Sequence, residues 1–203
     1  MPVIEVHLIE GYGADDKRRL AENLTDAARL VVPAPPEAVT VMIQEHGADE
    51  YFRGRIGRDP APALPDPATT VQRFLTCMEA RDLDAAEAML GEGFTMQFPG
   101  AAPMTALAEL VAWAKPRYAS ISKTYSGFDT GLSAGDAQIV YCHGTLAGTW
   151  RDGTSFAGIR FVDRFELQRG KITRQDVWND IGEMLRTSDV PAAASDHEPS
   201  SDA

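Results

Sequence analysis

Apolar and polar residues alternate from Val3 to Glu10, with Ile4, Val6 and Leu8 on one face and Glu5 and His7 on the other, and this predicts a strand. Gly11 and Gly13 end it. Asp15 and Asp16 then suit the positive end of a helix dipole, and Leu20, Leu24, Ala27, Ala28 and Val31 recur at helical spacing, so an amphipathic helix follows. Pro33, Pro35 and Pro36 stop the helix, and Val39, Val41 and Ile43 alternate through a second strand to Glu45. Strand, helix, strand predicts one right-handed β-α-β unit with parallel strands. A unit of roughly sixty residues buries little surface by itself, so its apolar faces are expected to meet other copies in a homo-oligomer.

A different pattern begins after a break. Residues 58–68, RDPAPALPDPA, hold four prolines and almost no large apolar residue, the composition of a stiff extended linker between a first domain at 1–57 and a second at 69–186. In the second domain Val71, Phe74, Leu75 and Met78 share one face of a helix over Thr69 to Ala80, and RDLDAAEAML reads as another helix capped by Asp82 or Asp84. Ala106 to Trp113 is a third helical stretch. Long alternating segments follow, Tyr118 to Phe128, Ala137 to Trp150, Ser155 to Gln168 and Lys171 to Asp180, with hairpin signals at Asp152-Gly153 and Arg169-Gly170. Helices first and an antiparallel meander afterwards predict an α+β domain, a curved sheet wrapped around a helix. Residues 187–203 are small, acidic and proline-bearing, and are expected to form a disordered tail.

Charge removes one class of function. A formal net charge of −11 across 203 residues gives no basic footprint for nucleic acid, whose binding depends on counterion release by lysine and arginine. No basic stretch followed by an apolar one opens the chain, and no segment approaches the ~20 apolar residues of a membrane span, so a cytoplasmic location without a membrane partner is expected. Cys77 and Cys142 stand far apart in apolar segments without ligand-spaced neighbours and read as buried small hydrophobes, and no metal site is expected.

The chemistry starts at the second residue. Proline gives no N–H to a sheet ladder, so at the head of a strand it is tolerated at the first position. Removal of Met1 would leave Pro2 with a free secondary amine. An α-amino group has a pKa of about 7.7 to 8.0, and burial lowers it further by penalising the cation. Such an amine is a general base near neutrality, able to take a proton alpha to a carbonyl and return it elsewhere without a cofactor. The run PVIEVHLIEG, the helix with DDKRRLAENLTDA, the strand APPEAVTVMIQE and the following YFRGR together resemble the 4-oxalocrotonate tautomerase family over Met1 to about Gly57. The resemblance implies a β-α-β tautomerase unit, Pro2 as catalytic base and assembly into trimers or hexamers. Tyr12 and Thr40 stand where founding members carry carboxylate-gripping arginines, which argues against a dicarboxylate substrate. Tyr51 falls at the family's aromatic pocket position, and Arg53 or Arg55 offers a replacement anion contact.

The second domain carries its own signature. VQRFLTCMEARDLDAAEAML, FTMQFPG, GIRFVDRFELQRGKI and DVWND resemble the SnoaL-like branch of the cone-shaped α+β barrel shared with ketosteroid isomerases and nuclear transport factor two. Against the ketosteroid isomerases, Phe74 and Phe98 replace the catalytic tyrosine and the general-base aspartate, while Asp163 retains the aspartate of the oxyanion hole. Asp163 alternates in phase with Ile159, Phe161, Phe165 and Leu167, an apolar face on which an acid is expected to resist ionisation. His143 and the in-phase set Asp176, Trp178 and Asp180 are candidates for the same cavity, the competing reading making His143 structural and Trp178 a core or dimer residue. The expected function is a cofactor-independent isomerase of a small enolisable carbonyl compound, working through Pro2. The alternatives are a cyclase or isomerase using Asp163 with the first domain as assembly platform, and a ligand-binding oligomer without catalysis.

Overall fold

The computed structural model describes residues 1–133, 135 and 137–188 and divides into two compact units between Leu64 and Pro65. No helix among the described residues is long and apolar enough to cross a membrane.

In the first unit β1 (Val3–Ile9) and β2 (Thr40–His46) pair in parallel, Val3 opposite Thr40 and Ile9 opposite His46. Parallel pairing requires a crossover, which α1 (Ala14–Arg29) supplies, with Asp15 and Asp16 in its first turn and Arg29 in its last, as the helix dipole favours. The helix ends before the proline cluster, because the residue ahead of a proline is pushed out of the helical region. Val31, expected on the helix, therefore falls beyond it and is exposed together with Leu30. A 3₁₀ turn over Pro36–Ala38 leads into β2. A two-residue hairpin, β3 (Phe52–Arg53) against β4 (Ile56–Gly57), turns through Gly54 and Arg55, both at positive φ (58° and 69°), as a type I′ turn requires. Ile9 is the one large apolar side chain of this unit that is fully buried among the described residues, whereas Val3, Met42, Phe52 and Ile56 are exposed.

The second unit has a real core. The helix α2 (Pro67–Ala80) begins two residues earlier than the pattern predicts, because Pro67 fits a first helical position and the Asp66 carboxylate caps it, accepting from Ala68 N at 2.8 Å and Thr69 N at 3.2 Å. Arg81 ends it in the left-handed region, and Asp82 caps the short α3 (Leu83–Glu87) by accepting from Ala85 N. β5 (Leu90–Gln97) and α4 (Leu107–Ala114) precede four long strands, β6 (Tyr118–Leu132), β7 (Gln138–Trp150), β8 (Ser155–Gln168) and β9 (Lys171–Asn179). The last helix, α5 (Ile181–Ser188), carries through residues 187 and 188, expected in the tail; residues 189–203 of that expected tail lie outside the described residues.

The sheet order is β5-β9-β8-β7-β6, antiparallel except for β5 against β9. It does not close into a barrel. Bulges near Tyr125 and Leu146 bend it. Glycine is required at two points of the bend: a Cβ on Gly144 would strike the Thr124 carbonyl, and one on Gly148 the Ser120 carbonyl. Val71, Phe74, Leu75 and Met78 of α2 pack on the concave face with Val140, Phe161, Phe165, Leu167 and Ile172, and Phe74 meets Phe165 edge-on at 5.9 Å. A cavity remains beside the helix, lined by residues of α2, α4 and the sheet.

Candidate functional site

In the first unit Pro2 sits just ahead of β1, and its carbonyl accepts a hydrogen bond from Thr40 N at 3.0 Å, which ties the chain end to the start of β2. Its ring is half-buried, whereas Met1 is 90% exposed. Tyr12 and Tyr51 are half-buried, and Arg53 and Arg55 are exposed on the β3–β4 hairpin. Among the described residues no hydrogen bond, ion pair or ring contact joins Pro2 to any of these four. The groove between α1 and β2, bordered by Arg18, Thr25, Pro36 and Val41, is a different place. His7 reaches across to His46, their ring nitrogens 2.8 Å apart, a pairing between neighbouring strands that the pattern of one strand does not show.

In the second unit α2, α4 and the concave face of the sheet enclose a cavity of about 170 Å³. Its walls include Phe74, Leu75, Met78, Leu110, Ile121 and Phe161; Asp163, Lys123, Gln175, Tyr125 and Trp113 bring polar groups to it, and Glu79 and Arg81 line it as well. Asp163 is fully buried. Its Oδ2 accepts from Lys123 Nζ in an ion pair and from Gln175 Nε2 at 3.2 Å, while Oδ1 accepts no hydrogen bond from the chain. Lys123 Nζ also stands 4.4 Å from the centre of the Phe161 ring, a cation–π contact. A buried carboxylate without a counterion costs several kcal/mol, and the ammonium is what makes Asp163 tolerable in this wall. The acid is thus one half of a pair, not the lone acid that its apolar strand face predicts.

Electrostatics around the pair push other protons to stay on. Burial, followed by the negative charges of Glu79, Cys142 and Asp163, raises the Tyr125 phenol above its ordinary value. Burial first, with Asp163 next, pushes the Cys142 thiol up to about 12. Tyr125 therefore stands as a neutral hydroxyl beside the pair.

Four expected lining residues point elsewhere. Gln175, Val177 and Asn179 of β9 line the cavity, so strand alternation turns Asp176 and Trp178 to the opposite face. Trp178 is 55% exposed there, and Asp176 is held by Arg174 Nε at 2.8 Å and by Arg164. Asp180 lies beyond the strand and pairs with Arg160 at 2.6 Å. Leu146 of β7 lines the cavity, and His143, three residues before it, lies on the outer face beside Asp129 at 3.6 Å. Lys123 was legible: it alternates with Ile121 and Tyr125 on β6, an inward phase that a lysine shares only when something pairs with it.

Residues 71–175, just over half of the chain, match the SnoaL-like domain family, and residues 2–55 match the tautomerase enzyme family. The chain belongs to both families. A probable tautomerase of Ralstonia nicotianae is 38% identical over 65 residues, which is 32% of this chain and 93% of that protein. A 2-hydroxymuconate tautomerase of Bacillus subtilis is 35% identical over 51 residues, 25% of this chain and 82% of that protein. The crystal structure of an NTF2-like protein of unknown function from Burkholderia pseudomallei superposes with a TM-score of 0.51 at 18% identity, covering 61% of this chain and 98% of that one. That likeness concerns the fold alone. The tautomerase unit and the SnoaL-like unit are thus two family modules in one chain, and by family the chain is an isomerase.

Proposed function

We propose that the chain is a cofactor-independent tautomerase of a small enolisable carbonyl compound, with Pro2 as general base once Met1 is removed, working as a homo-oligomer in the cytoplasm. The observation that carries this reading is the anchoring of Pro2: the hydrogen bond from Thr40 N to its carbonyl fixes the ring at the head of β1 in a half-buried position. A ring nitrogen held there aims its lone pair with little entropy to lose, and partial burial favours the neutral amine. The tautomerase match begins at residue 2, which agrees with a mature chain that starts at the proline. Tyr12, Tyr51, Arg53 and Arg55 are the polar contacts, brought to Pro2 by a neighbouring copy. The exposed Val3, Met42, Phe52 and Ile56 supply the apolar area for that association.

The test is an intact mass together with Pro2→Ala. The mass is expected to lack the initiator methionine, and the variant to lose about 10²- to 10⁴-fold in kcat/KM for ketonisation of a simple enol, the range of one general base. Retained methionine, or an unchanged rate in the variant, defeats the reading.

A second reading rests on the SnoaL-like unit, where the fully buried Asp163 in the cavity wall serves as the acid/base of a cyclase or isomerase and the tautomerase unit assembles copies. On that reading Pro2→Ala leaves turnover intact, whereas Asp163→Asn removes it.

A further inference from the structure

We propose that the cavity of the SnoaL-like unit binds an uncharged, monocyclic hydroxy-carbonyl compound, its hydroxyl donating to Asp163 Oδ1 beside Gln175 and its carbonyl oxygen accepting from Lys123. The inference rests on the reading that this cavity takes a small molecule, and it is independent of any chemistry at Pro2.

Size sets the first limit. An engineered cavity of about 150 Å³ lined by apolar side chains holds one benzene. At about 170 Å³ this cavity has room for one six-membered ring with one or two small substituents.

Unpaired polar atoms set the second. Five buried side-chain polar atoms take no hydrogen bond among the described residues, and four of them belong to residues lining this one cavity: Trp113 Nε1, Tyr125 Oη, Asp163 Oδ1 and Gln175 Oε1. Buried polar groups are nearly always paired, so their concentration at one place marks where a partner of matching chemistry docks. The amide of Gln175 has one orientation, because its Nε2 donates to Asp163 Oδ2, and Oε1 is therefore an acceptor. Asp163 Oδ1 is an acceptor too. Two neighbouring acceptors demand a donor, which a ketone, ester or hydrocarbon does not have. A hydroxyl does.

Charge sets the third. Lys123 gives one of its three N–H groups to Asp163 and has others for a carbonyl oxygen, so the ligand presents an acceptor beside its donor. Lys123 already balances Asp163, and Arg81 and Glu79, which also line the cavity, bring one charge of each sign. A ligand carboxylate would bury a net negative charge against apolar walls, which costs more than one contact with Lys123 returns. The ligand is therefore neutral.

The experiment is calorimetric titration of the full-length protein with 2-hydroxycyclohexanone, cyclohexanone and cyclohexanecarboxylate, three probes of one ring size. The hydroxyketone is expected to bind one per chain and at least about tenfold more tightly than either other probe, since a site with paired polar groups rejects a ligand that leaves them bare. The companion protein is the double variant Lys123→Met with Asp163→Leu, which replaces the pair by apolar groups of similar volume and whose fold is checked by circular dichroism. It is expected to bind cyclohexanone and the hydroxyketone equally. Equal binding of the two by the wild type, no binding of the hydroxyketone, tighter binding of the carboxylate, or a hydroxyl preference that survives in the folded double variant each overturns the inference. Enol turnover is scored in the same wild-type sample. Hydroxyl-dependent binding without turnover supports this inference and counts against the Pro2 reading; turnover without it overturns this inference and leaves the Pro2 reading standing.

Discussion

The two units differ in how much apolar surface each buries by itself. The SnoaL-like unit closes α2 onto a bent sheet, and Phe74, Phe165, Leu167 and Ile172 vanish from solvent within a single chain. Its polar pair is finished in the same way, Asp163 and Lys123 meeting inside one fold. The tautomerase unit hides Ile9 and leaves Phe52 63% and Ile56 61% exposed, apolar area that the proposed reading covers with other copies. A unit that buries its large apolar residues and one that leaves them exposed therefore answer differently to the same kind of mutation.

The largest effect is expected where a charge has no substitute. Lys123→Met alone strands Asp163 in an apolar wall and is expected to cost about 3 to 5 kcal/mol of unfolding free energy, while adding Asp163→Leu restores most of it, because an apolar pair of like volume is tolerated. Denaturant unfolding of the three proteins measures this, and a single variant as stable as wild type would show that the pair is not desolvated. No residue of the tautomerase unit should show such a rescue. Its ion pairs, such as Arg18 with Asp15, lie on the surface, where one is worth at most about 1 kcal/mol.

Apolar truncation sharpens the contrast. Phe74→Ala removes a side chain 1% exposed and is expected to cost about 3 to 5 kcal/mol whatever the protein concentration. Phe52→Ser touches a side chain that the chain by itself leaves in water, so its effect is expected in assembly, as a shift to smaller species in analytical ultracentrifugation that depends on concentration. If Phe52→Ser changes neither mass nor stability, the hairpin lies outside any interface between copies.

Much of this was legible in the chain, and the failures have a common physical form. Alternation runs unbroken from Ile159 to Leu167 in β8 and through most of β1 and β2, so most of their inward sets could be read directly. Beta-9 is different: Gln175 and Asp176 are both buried, one toward the cavity and one beneath Arg164 and Arg174, and polarity alone does not say which face is the core. Trp178 then looks inward by its chemistry and lies outward by its position. The parallel partnership of β5 with β9, the His7–His46 contact and the Lys123–Asp163 pair join residues far apart in sequence, and no local window contains them. Lys123 and Asp163 nevertheless each break an apolar phase on their own strand, and two such breaks of opposite charge in one sheet are a signal that they meet.

The smallest expected effect concerns the two cysteines. Cys142 is fully buried beside Asp163, its thiol pushed up to about 12, whereas Cys77 lies on α2 at intermediate exposure. A thiol reagent at pH 8 is expected to modify Cys77 in the native protein and to reach Cys142 only after unfolding. The same shift makes stability depend on pH in a definite direction. An acid whose folded pKa is raised stays neutral in the native state while the unfolded chain ionises, so its contribution is whole below the unfolded value of about 8.5 and is lost as pH rises from there toward the folded value. The decline amounts to about 1.4 kcal/mol per pH unit for one proton, and it is separable from tyrosine ionisation below the ordinary phenol range near 10. Cys142→Ala removes the titrating group and is expected to flatten the slope between about pH 8.5 and 9.5, even though it lowers stability at pH 7 by leaving a small void. A slope that persists in the variant would place the alkaline loss in another group, with Tyr118 and Tyr125, both raised by burial, the next to replace with phenylalanine.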